Sequence, residues 1–407
     1  MKSSIANKLL PLFVLSLTAL TIAVFAYFNQ AGAVADAKSD QGDEVSMLIG
    51  PQMRPQIEVV FVLDTTSSMS GTIEAAKENI WSIASTMASA KPAPEIKMGL
   101  VAFRDRGDAY VTKVFDLSED LDGMYATLMD FKAQGGGDGP ESVNQALHDA
   151  VEKISWSDGS ASYKSIFLVG DAPPHMDYQN DVKFPQSVAL ASRKGIVVNT
   201  IQAGQNTQTT RSWQKIASLS QGRYFNVTER GAHVAIATPY DREIAALSKE
   251  LDATRFFYGA KEERAASELK TLASEKLHAI ASAASRAKRA LFNASASGAG
   301  NFRGDKELVA DISSGAVALD EVAEAELPDS IRALPAPQRQ EEIDKQAQKR
   351  SELQAQIAEL AKKREAYVEK ELADDVDLDK SLDYQIYETV AAQAKDKGMR
   401  YEDGPKY

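Results

Sequence analysis

The sequence contains no cysteine and only four histidines in 407 residues. The lack of cysteine excludes disulfides, thiolate metal sites and cysteine nucleophiles. The histidines do not show the HExxH spacing of zinc proteases, and neither a GxSxG nucleophile motif nor a GxxxxGK[ST] phosphate-binding loop occurs. Because the signature residues of most common enzyme classes are missing, we expect a protein that is not an enzyme.

Basic residues are also in deficit. The chain has 46 lysines and arginines against 58 aspartates and glutamates, which gives a net charge of −12. Nucleic-acid binding needs a basic surface, so we expect no nucleic-acid partner. The 44% of hydrophobic and 26% of charged residues are ordinary for globular proteins. The length therefore predicts two or three domains.

The longest apolar run lies at the N-terminus. Lys2 and Lys8 precede an uncharged stretch over residues 9–28, and Ala31-Gly32-Ala33 follows. This arrangement is typical of a secretory signal peptide, although a run of this length also suffices to span a bilayer. We therefore predict a signal peptide or membrane anchor over residues 1–33 and a polar linker over residues 34–55. The remainder would be exported to the periplasm or cell envelope, either secreted across the inner membrane or anchored to it by residues 9–28.

Residues 56–235 alternate apolar strands with amphipathic helices. After Glu58, residues 59–63 form a continuous apolar run that is typical of a strand buried on both faces. The alternation predicts a doubly wound, Rossmann-like α/β domain with a mostly parallel, six-stranded sheet and its own core. Only residues 104–109 separate the second and third predicted strands, which is too short for a parallel crossover. The third strand should therefore be antiparallel and lie at an edge.

Beyond residue 235 the sequence favours helices. We predict a helical segment over residues 236–300 and a helical or coiled-coil C-terminal region over residues 301–407. Residues 337–372 carry a heptad pattern with polar residues at half of its core positions: Ile343, Arg350, Ile357 and Arg364, and Gln346, Leu353, Leu360 and Tyr367. This pattern has two interpretations. The helix forms a homo-oligomeric coiled coil, or it packs against the preceding helices of its own chain.

Three polar segments are placed to meet at one edge of the predicted sheet. Asp64-Thr65-Thr66-Ser67-Ser68 follows the first strand, and Asp171 ends the fourth. In a 3-2-1-4-5-6 sheet these strands are neighbours at the point where ligands bind, so Asp64 and Asp171 should face each other. The glycine-rich loop at residues 135–141 would bring Asp138 over them. Carboxylates and hydroxyls suit a hard divalent cation, whereas helix capping alone is the alternative.

These motifs resemble the von Willebrand factor type A domain and its metal-ion-dependent adhesion site, in a protein of the bacterial envelope type. The resemblance covers about residues 56–235. It implies that Asp64, Thr66, Ser68 and Asp171 hold a divalent cation directly or through water. Asp138 stands where most of the family has threonine, and a further carboxylate there would reduce the cation's need for an acidic partner group. We expect Mg²⁺, with Mn²⁺ and Ca²⁺ as alternatives.

The resemblance predicts a metal-dependent protein-binding module for adhesion or assembly in the envelope. Its partner would be a protein or another envelope ligand, bound through the metal site, and the C-terminal helices would support a homo-oligomer. Two alternatives remain open at this point. One is a structural coiled-coil scaffold with a degenerate metal site, and the other is a Mg²⁺-dependent hydrolase.

Overall fold

The computed structural model describes residues 54–137, 139–227, 236–372, 381–402 and 404–405. The predicted export segment and nearly all of the linker lie outside these residues, and so does Asp138. Within the described ranges, no helix is both long and apolar enough to cross a membrane.

The described residues form one six-stranded sheet. Its strands are β1 (Gln56–Asp64), β2 (Glu95–Phe103), β3 (Thr112–Ser118), β4 (Tyr163–Gly170), β5 (Ile196–Ala203) and β6 (Tyr224–Val227). Their order is β3-β2-β1-β4-β5-β6. β3 pairs antiparallel with β2, and every other neighbouring pair is parallel. The predicted topology, including the antiparallel edge strand, is confirmed.

Helices cover both faces of this sheet. They are α1 (Ser70–Ala88), α2 (Leu121–Asp130), α3 (Val143–Glu152), α4 (Phe184–Arg193) and α5 (Thr207–Leu219). All of β4 and most of β1 are buried, which explains their unbroken apolar sequences. α3, α4 and α5 pack on one face around residues such as Leu147 and Trp213. α1 and α2 pack on the other face around residues such as Ile73 and Leu128.

The last helix of the chain, α13 (Leu382–Ala394), completes the face that α1 and α2 cover. Leu382, Ile386 and Val390 are buried in the same apolar cluster as the strands. Tyr163 of β4 donates a hydrogen bond to Gln393 Oε1 at 2.7 Å. The predicted domain ending at residue 235 therefore does not contain the whole core of its sheet, because the chain returns about 150 residues later to close it.

The residues between the sheet and α13 form a helical region. Its helices are α6 (Asp241–Asp252), α7 (Lys261–Ile280), α8 (Ala283–Ala294), α9 (Ala299–Arg303), α10 (Leu308–Ser313), α11 (Asp329–Arg332) and α12 (Ala336–Leu372). They surround two further apolar clusters, one that includes Ile244 and Leu353 and another that includes Leu308 and Ile343.

The heptad seam of α12 is buried within its own chain. Its buried residues are Ile343, Arg350, Leu353, Ile357, Leu360, Arg364 and Val368. Arg350 Nη1 lies 2.8 Å from Glu307 Oε2, and Arg364 Nε lies 2.9 Å from Asp241 Oδ1. The two arginines at heptad core positions therefore form buried ion pairs with the helical region. Of the two interpretations, the structure shows packing within the chain, and the expected oligomeric coiled coil would have to use a surface other than this seam.

A buried ionic cluster joins the helical region to the α/β part. Arg289 of α8 is fully buried; its Nε donates to Asp122 Oδ1 of α2 at 2.6 Å, and its Nη1 donates to Asp252 Oδ2 of α6 at 2.8 Å. Burial opposes ionisation of Asp122, but the charge and hydrogen bonds of Arg289 outweigh burial and lower the pKa of Asp122 below its ordinary value. Arg289 and Asp252 of the helical region and Asp122 of the α/β part therefore neutralise one another, and removing either part would leave buried charge uncompensated.

Candidate metal centre

The loop after β1 brings three of the predicted site residues together. Asp64 Oδ1 accepts hydrogen bonds from the backbone N–H of Thr66 at 2.9 Å and from Thr66 Oγ1 at 2.7 Å. Thr66 Oγ1 lies 3.4 Å from Ser68 Oγ. Asp64 and Thr66 are buried, whereas Ser68 is exposed. The loop therefore presents oxygen atoms at different depths, from the buried Asp64 and Thr66 to the exposed Ser68.

Asp171 follows β4 beside this loop, as the topology predicts. Leu63 and Val169 are paired in the parallel β1–β4 register, so the two strands end side by side. A Cβ atom on Gly170 would lie 3.1 Å from the Cβ of Asp64 and 3.2 Å from its Oδ2. Any side chain at position 170 would crowd the Asp64 carboxylate, so glycine keeps this approach open. Repulsion from Asp171 also contributes to a raised pKa of Asp64.

The glycine-rich segment lies against the Asp64 loop. Ser67 donates to the carbonyl of Gly135 through its backbone N–H at 3.2 Å and through its Oγ at 2.8 Å. Gly135 and Gly136 both have φ near +79°, a conformation that favours glycine. A Cβ on Gly136 would lie 3.2 Å from the Cβ of Thr66. The loop therefore approaches the pocket closely, but Asp138 is outside the described residues, so its contact with a metal stays a prediction.

Glu141 is a site residue that the sequence analysis did not assign. It is 3% exposed, and its Oε2 is buried without a hydrogen-bond partner. Its backbone N–H donates to Pro173 O at 2.9 Å, and its carbonyl accepts from the N–H of His175 at 3.1 Å. These bonds hold Glu141 between the glycine-rich loop and the loop after β4.

Buried carboxyl groups whose ionisation is unfavourable are the main electrostatic feature of this site. Burial, and then the charges of Asp64, Asp105, Asp108 and Asp171, raise the pKa of Glu141 to about 9. Burial also raises the pKa of Asp64 to about 7, although the Thr66 hydrogen bonds and Arg104 oppose this shift. Asp64 Oδ2 has no hydrogen-bond partner. Two buried carboxyl groups, each with an oxygen that has no hydrogen-bond partner, therefore lie close together. A bound cation would compensate the cost of ionising them in this buried place.

Neighbouring polar groups connect the loops that form the pocket. Asp105 accepts hydrogen bonds from Ser142 Oγ at 2.8 Å and from Tyr178 OH at 2.7 Å. Asp108 Oδ2 accepts from the backbone N–H of Gly136 at 3.0 Å. The His175 ring stacks on Tyr178 with 3.9 Å between centroids. Asp105 and Asp108 thus brace the loops, and His175 belongs to this bracing network.

The metal ligands would have to include hydroxyl groups. In the part of the chain that the structure describes, no three acidic or histidine side chains are close enough to hold one ion. A cation at this position would therefore depend on Thr66 and Ser68 together with the carboxylates. Mixed hydroxyl and carboxylate oxygens are suitable ligands for Mg²⁺ or Mn²⁺ and are poor ligands for soft metals.

A family comparison supports the predicted domain. The model of the von Willebrand factor A domain matches residues 58–238, which supports a domain of this type over that part of the chain. No curated protein matches the chain by sequence.

Solved structures show similarity at low sequence identity. Proximal thread matrix protein 1 from the mussel byssus is 16% identical, with a TM-score of 0.34 over 44% of this chain and 43% of the mussel chain. The chain thus spans less than half the length of that protein. Another structure of the mussel protein, 17% identical with a TM-score of 0.34 over 42% of each chain, has zinc in its metal-ion-dependent adhesion motif. BatB from Bacteroides thetaiotaomicron is 14% identical, with a TM-score of 0.33 over 43% of this chain and 90% of BatB.

Proposed function

We propose that the von Willebrand factor A domain of this protein binds a divalent cation and uses it to hold a protein or another envelope component. Asp64, Thr66, Ser68 and Asp171 would be the ligands, directly or through water, and Glu141 would contribute from the same pocket. The observation that carries the proposal is the pair of buried carboxylate oxygens, Asp64 Oδ2 and Glu141 Oε2, which have no hydrogen-bond partner.

A bound cation would neutralise the buried carboxylates and offer a remaining coordination position to an oxygen atom of the partner. Ser68 is exposed, so this position would be accessible from solvent. Mg²⁺ fits the oxygen ligands best, with Mn²⁺ and Ca²⁺ as alternatives. Because a bound cation would favour the ionised form of Glu141 beside Asp64 and Asp171, it would have little need of an acidic partner. We therefore expect neutral oxygen groups of the partner to serve as well as carboxylates.

Calorimetric titration with Mn²⁺ and Mg²⁺ tests the metal site. The wild-type protein should bind one ion, and Asp64→Ala should abolish this binding while leaving the melting curve cooperative. Asp158→Ala is the matched control, because it removes the same charge from an exposed loop at the opposite end of the sheet. Equal affinity in the wild type and the Asp64→Ala variant would contradict the proposal.

The location of the protein is a separate part of the proposal and depends on residues 1–33. Cell fractionation should place the protein in the envelope, and N-terminal sequencing of the mature chain distinguishes a cleaved signal peptide from an anchor. Immobilised protein should then retain an envelope component in Mg²⁺ and release it in EDTA. Retention that is unchanged by EDTA or by Asp64→Ala would show that the partner does not use the metal site.

Binding fits this pocket better than catalysis. Its polar groups are engaged with one another or belong to the candidate ligand set, and the histidine beside it, His175, interacts with Asp105 and Asp177 in the loop network. A hydrolase would be revealed by Mg²⁺-dependent turnover of p-nitrophenyl phosphate that Asp64→Ala abolishes. We expect no such turnover.

A further inference from the structure

A second candidate site lies in the helical region. A cleft of about 980 Å³ opens between the C-terminal part of α1, α8 and the C-terminal half of α12, and residues 404–405 also line it. This volume is in the range of small-molecule binding pockets. The cleft shares no lining residue with the candidate metal centre, so inferences about the two sites are independent.

Lys288 of α8 is the unusual residue of this cleft. It lines the cleft and is only 4% exposed. Among the described residues it makes no hydrogen bond and no ion pair. Lysine is rarely this buried, because its charged form loses hydration. Burial lowers the pKa of Lys288, and nearby Arg364 adds to this effect, whereas Asp383, Glu78 and Asp241 oppose it.

Among the described residues, the polar groups around Lys288 form no hydrogen bond with its ammonium group. Ser82 of α1 also lines the cleft, and its Oγ is buried without a hydrogen-bond partner. Arg364 lies in the wall, but its Nε is already paired with Asp241 Oδ1 at 2.9 Å. Asp383 of α13 is buried and provides the main opposite charge near Lys288, but neither of its oxygens has a hydrogen-bond partner. The cleft therefore has an ammonium group and a hydroxyl group available to an acceptor from outside the chain.

The rest of the wall is largely apolar. Leu291 and Phe292 of α8 face the cleft together with Val368 and Leu372 of α12. Glu365 and Glu369 also contribute to the lining, and both are exposed. A small hydrophilic anion at the surface of the cleft would be repelled by this negative charge. An anion with an apolar body could instead enter the cleft and place its charged group beside Lys288.

We propose that this cleft binds a small amphipathic anion, with its carboxylate or phosphate group beside Lys288 and its aliphatic body against the apolar wall. The bound anion would accept hydrogen bonds from the ammonium group of Lys288 and from Ser82 Oγ. The chain would thus carry two distinct binding sites, one for a cation at the edge of the sheet and one for an amphipathic anion among the helices.

Isothermal titration of the full chain with decanoate and with decyl phosphate tests this proposal and distinguishes the two head groups. At least one probe should bind the wild type. Lys288→Met should weaken its binding at least tenfold. Lys362→Met is the matched control, because Lys362 is 73% exposed on α12, which forms one wall of the cleft, but does not line the cleft. The Lys362→Met variant should bind the probe with the affinity of the wild type.

A second variant keeps the test independent of the charge of Lys288. Ala358 lies in the α12 wall and is exposed, so Ala358→Trp should fill the cleft without disturbing the core and should also weaken binding. Asp64→Ala should bind the probe as the wild type does, which separates this site from the metal centre. Absence of binding to the wild type, or equal affinity in the wild type and Lys288→Met, would overturn the proposal.

Discussion

Replacing Asp64 with asparagine should stabilise the metal-free protein above pH 7, although it removes a predicted metal ligand. The Asp64 carboxyl is buried, and its Oδ2 has no hydrogen-bond partner, so ionisation of this carboxyl destabilises the folded state. Burial and the neighbouring Asp171 raise its pKa from 3.8 to about 7, against the opposing effect of the Thr66 hydrogen bonds. Asparagine keeps an oxygen that can accept both Thr66 hydrogen bonds, and it carries no charge.

The size and sign of the effect follow from proton linkage. In the unfolded chain Asp64 loses its proton near pH 4, whereas in the folded protein it retains the proton up to about pH 7. Stability of the metal-free wild type therefore falls as the pH rises through this window. A shift of about three pKa units corresponds to on the order of 4 kcal/mol. The new amide N–H₂ group would lack an acceptor at a cost of about 1–3 kcal/mol, which leaves a net gain of about 1–3 kcal/mol.

Scanning calorimetry in EDTA measures this gain. The Tm of Asp64→Asn should exceed that of the wild type by about 1–4 °C at pH 8, since unfolding entropy is roughly 2 cal/mol/K per residue. The difference should shrink or reverse near pH 4, where the wild-type carboxyl is protonated. Saturating Mg²⁺ should stabilise the wild type by about 2.7 kcal/mol at 100 times Kd and leave the variant nearly unchanged. A variant that is less stable than the wild type at pH 8 in EDTA would refute the reasoning.

Three further predictions concern residues that position the site or the core. Glu141→Gln should weaken Mn²⁺ binding by about 1–3 kcal/mol in a calorimetric titration, because a charge-assisted contact is lost; unchanged affinity would show that Glu141 only braces the loops. Arg289→Met should destabilise the protein by about 3–5 kcal/mol in urea unfolding, because Asp122 and Asp252 lose their buried counter-charge; adding Asp122→Asn and Asp252→Asn should restore much of this loss, and no restoration would contradict the assignment. A fragment of residues 54–238 should bind the dye ANS and melt without cooperativity, because the sheet face under α13 is uncovered; a cooperative melt without dye binding would show that α13 is dispensable.

The sequence predicted the parts of the fold that depend on local patterns and on the rules of strand connection. The antiparallel edge strand followed from the short connection over residues 104–109, and the approach of Asp64 and Asp171 followed from the strand order. The return of α13 to the sheet was not predicted. Its contacts, such as Tyr163 with Gln393, join residues 230 positions apart, and no local pattern records such a pairing.

The missed site residue has a physical explanation. Glu141 lies just before α3, where an acidic side chain is expected to favour a helix N-terminus, so its sequence context did not indicate a place in the pocket. The signal that could have identified it is the glycine run before it, because Gly136 passes close to both Thr66 and Glu141. In α12, the arginines at heptad core positions were a sign of buried partners. The partners themselves, Glu307 and Asp241, lie far away in sequence and could not be identified from the pattern.

Anomalous diffraction from crystals of the full chain grown with Mn²⁺ is the most direct test of the metal centre. We expect one strong anomalous peak within coordination distance of Asp64, Thr66 or Ser68, on the side facing Asp171 and Glu141. Crystals of Asp64→Ala under the same conditions should lack this peak. A well-ordered pocket without a peak in the wild type, or a peak only elsewhere on the chain, would contradict the central claim.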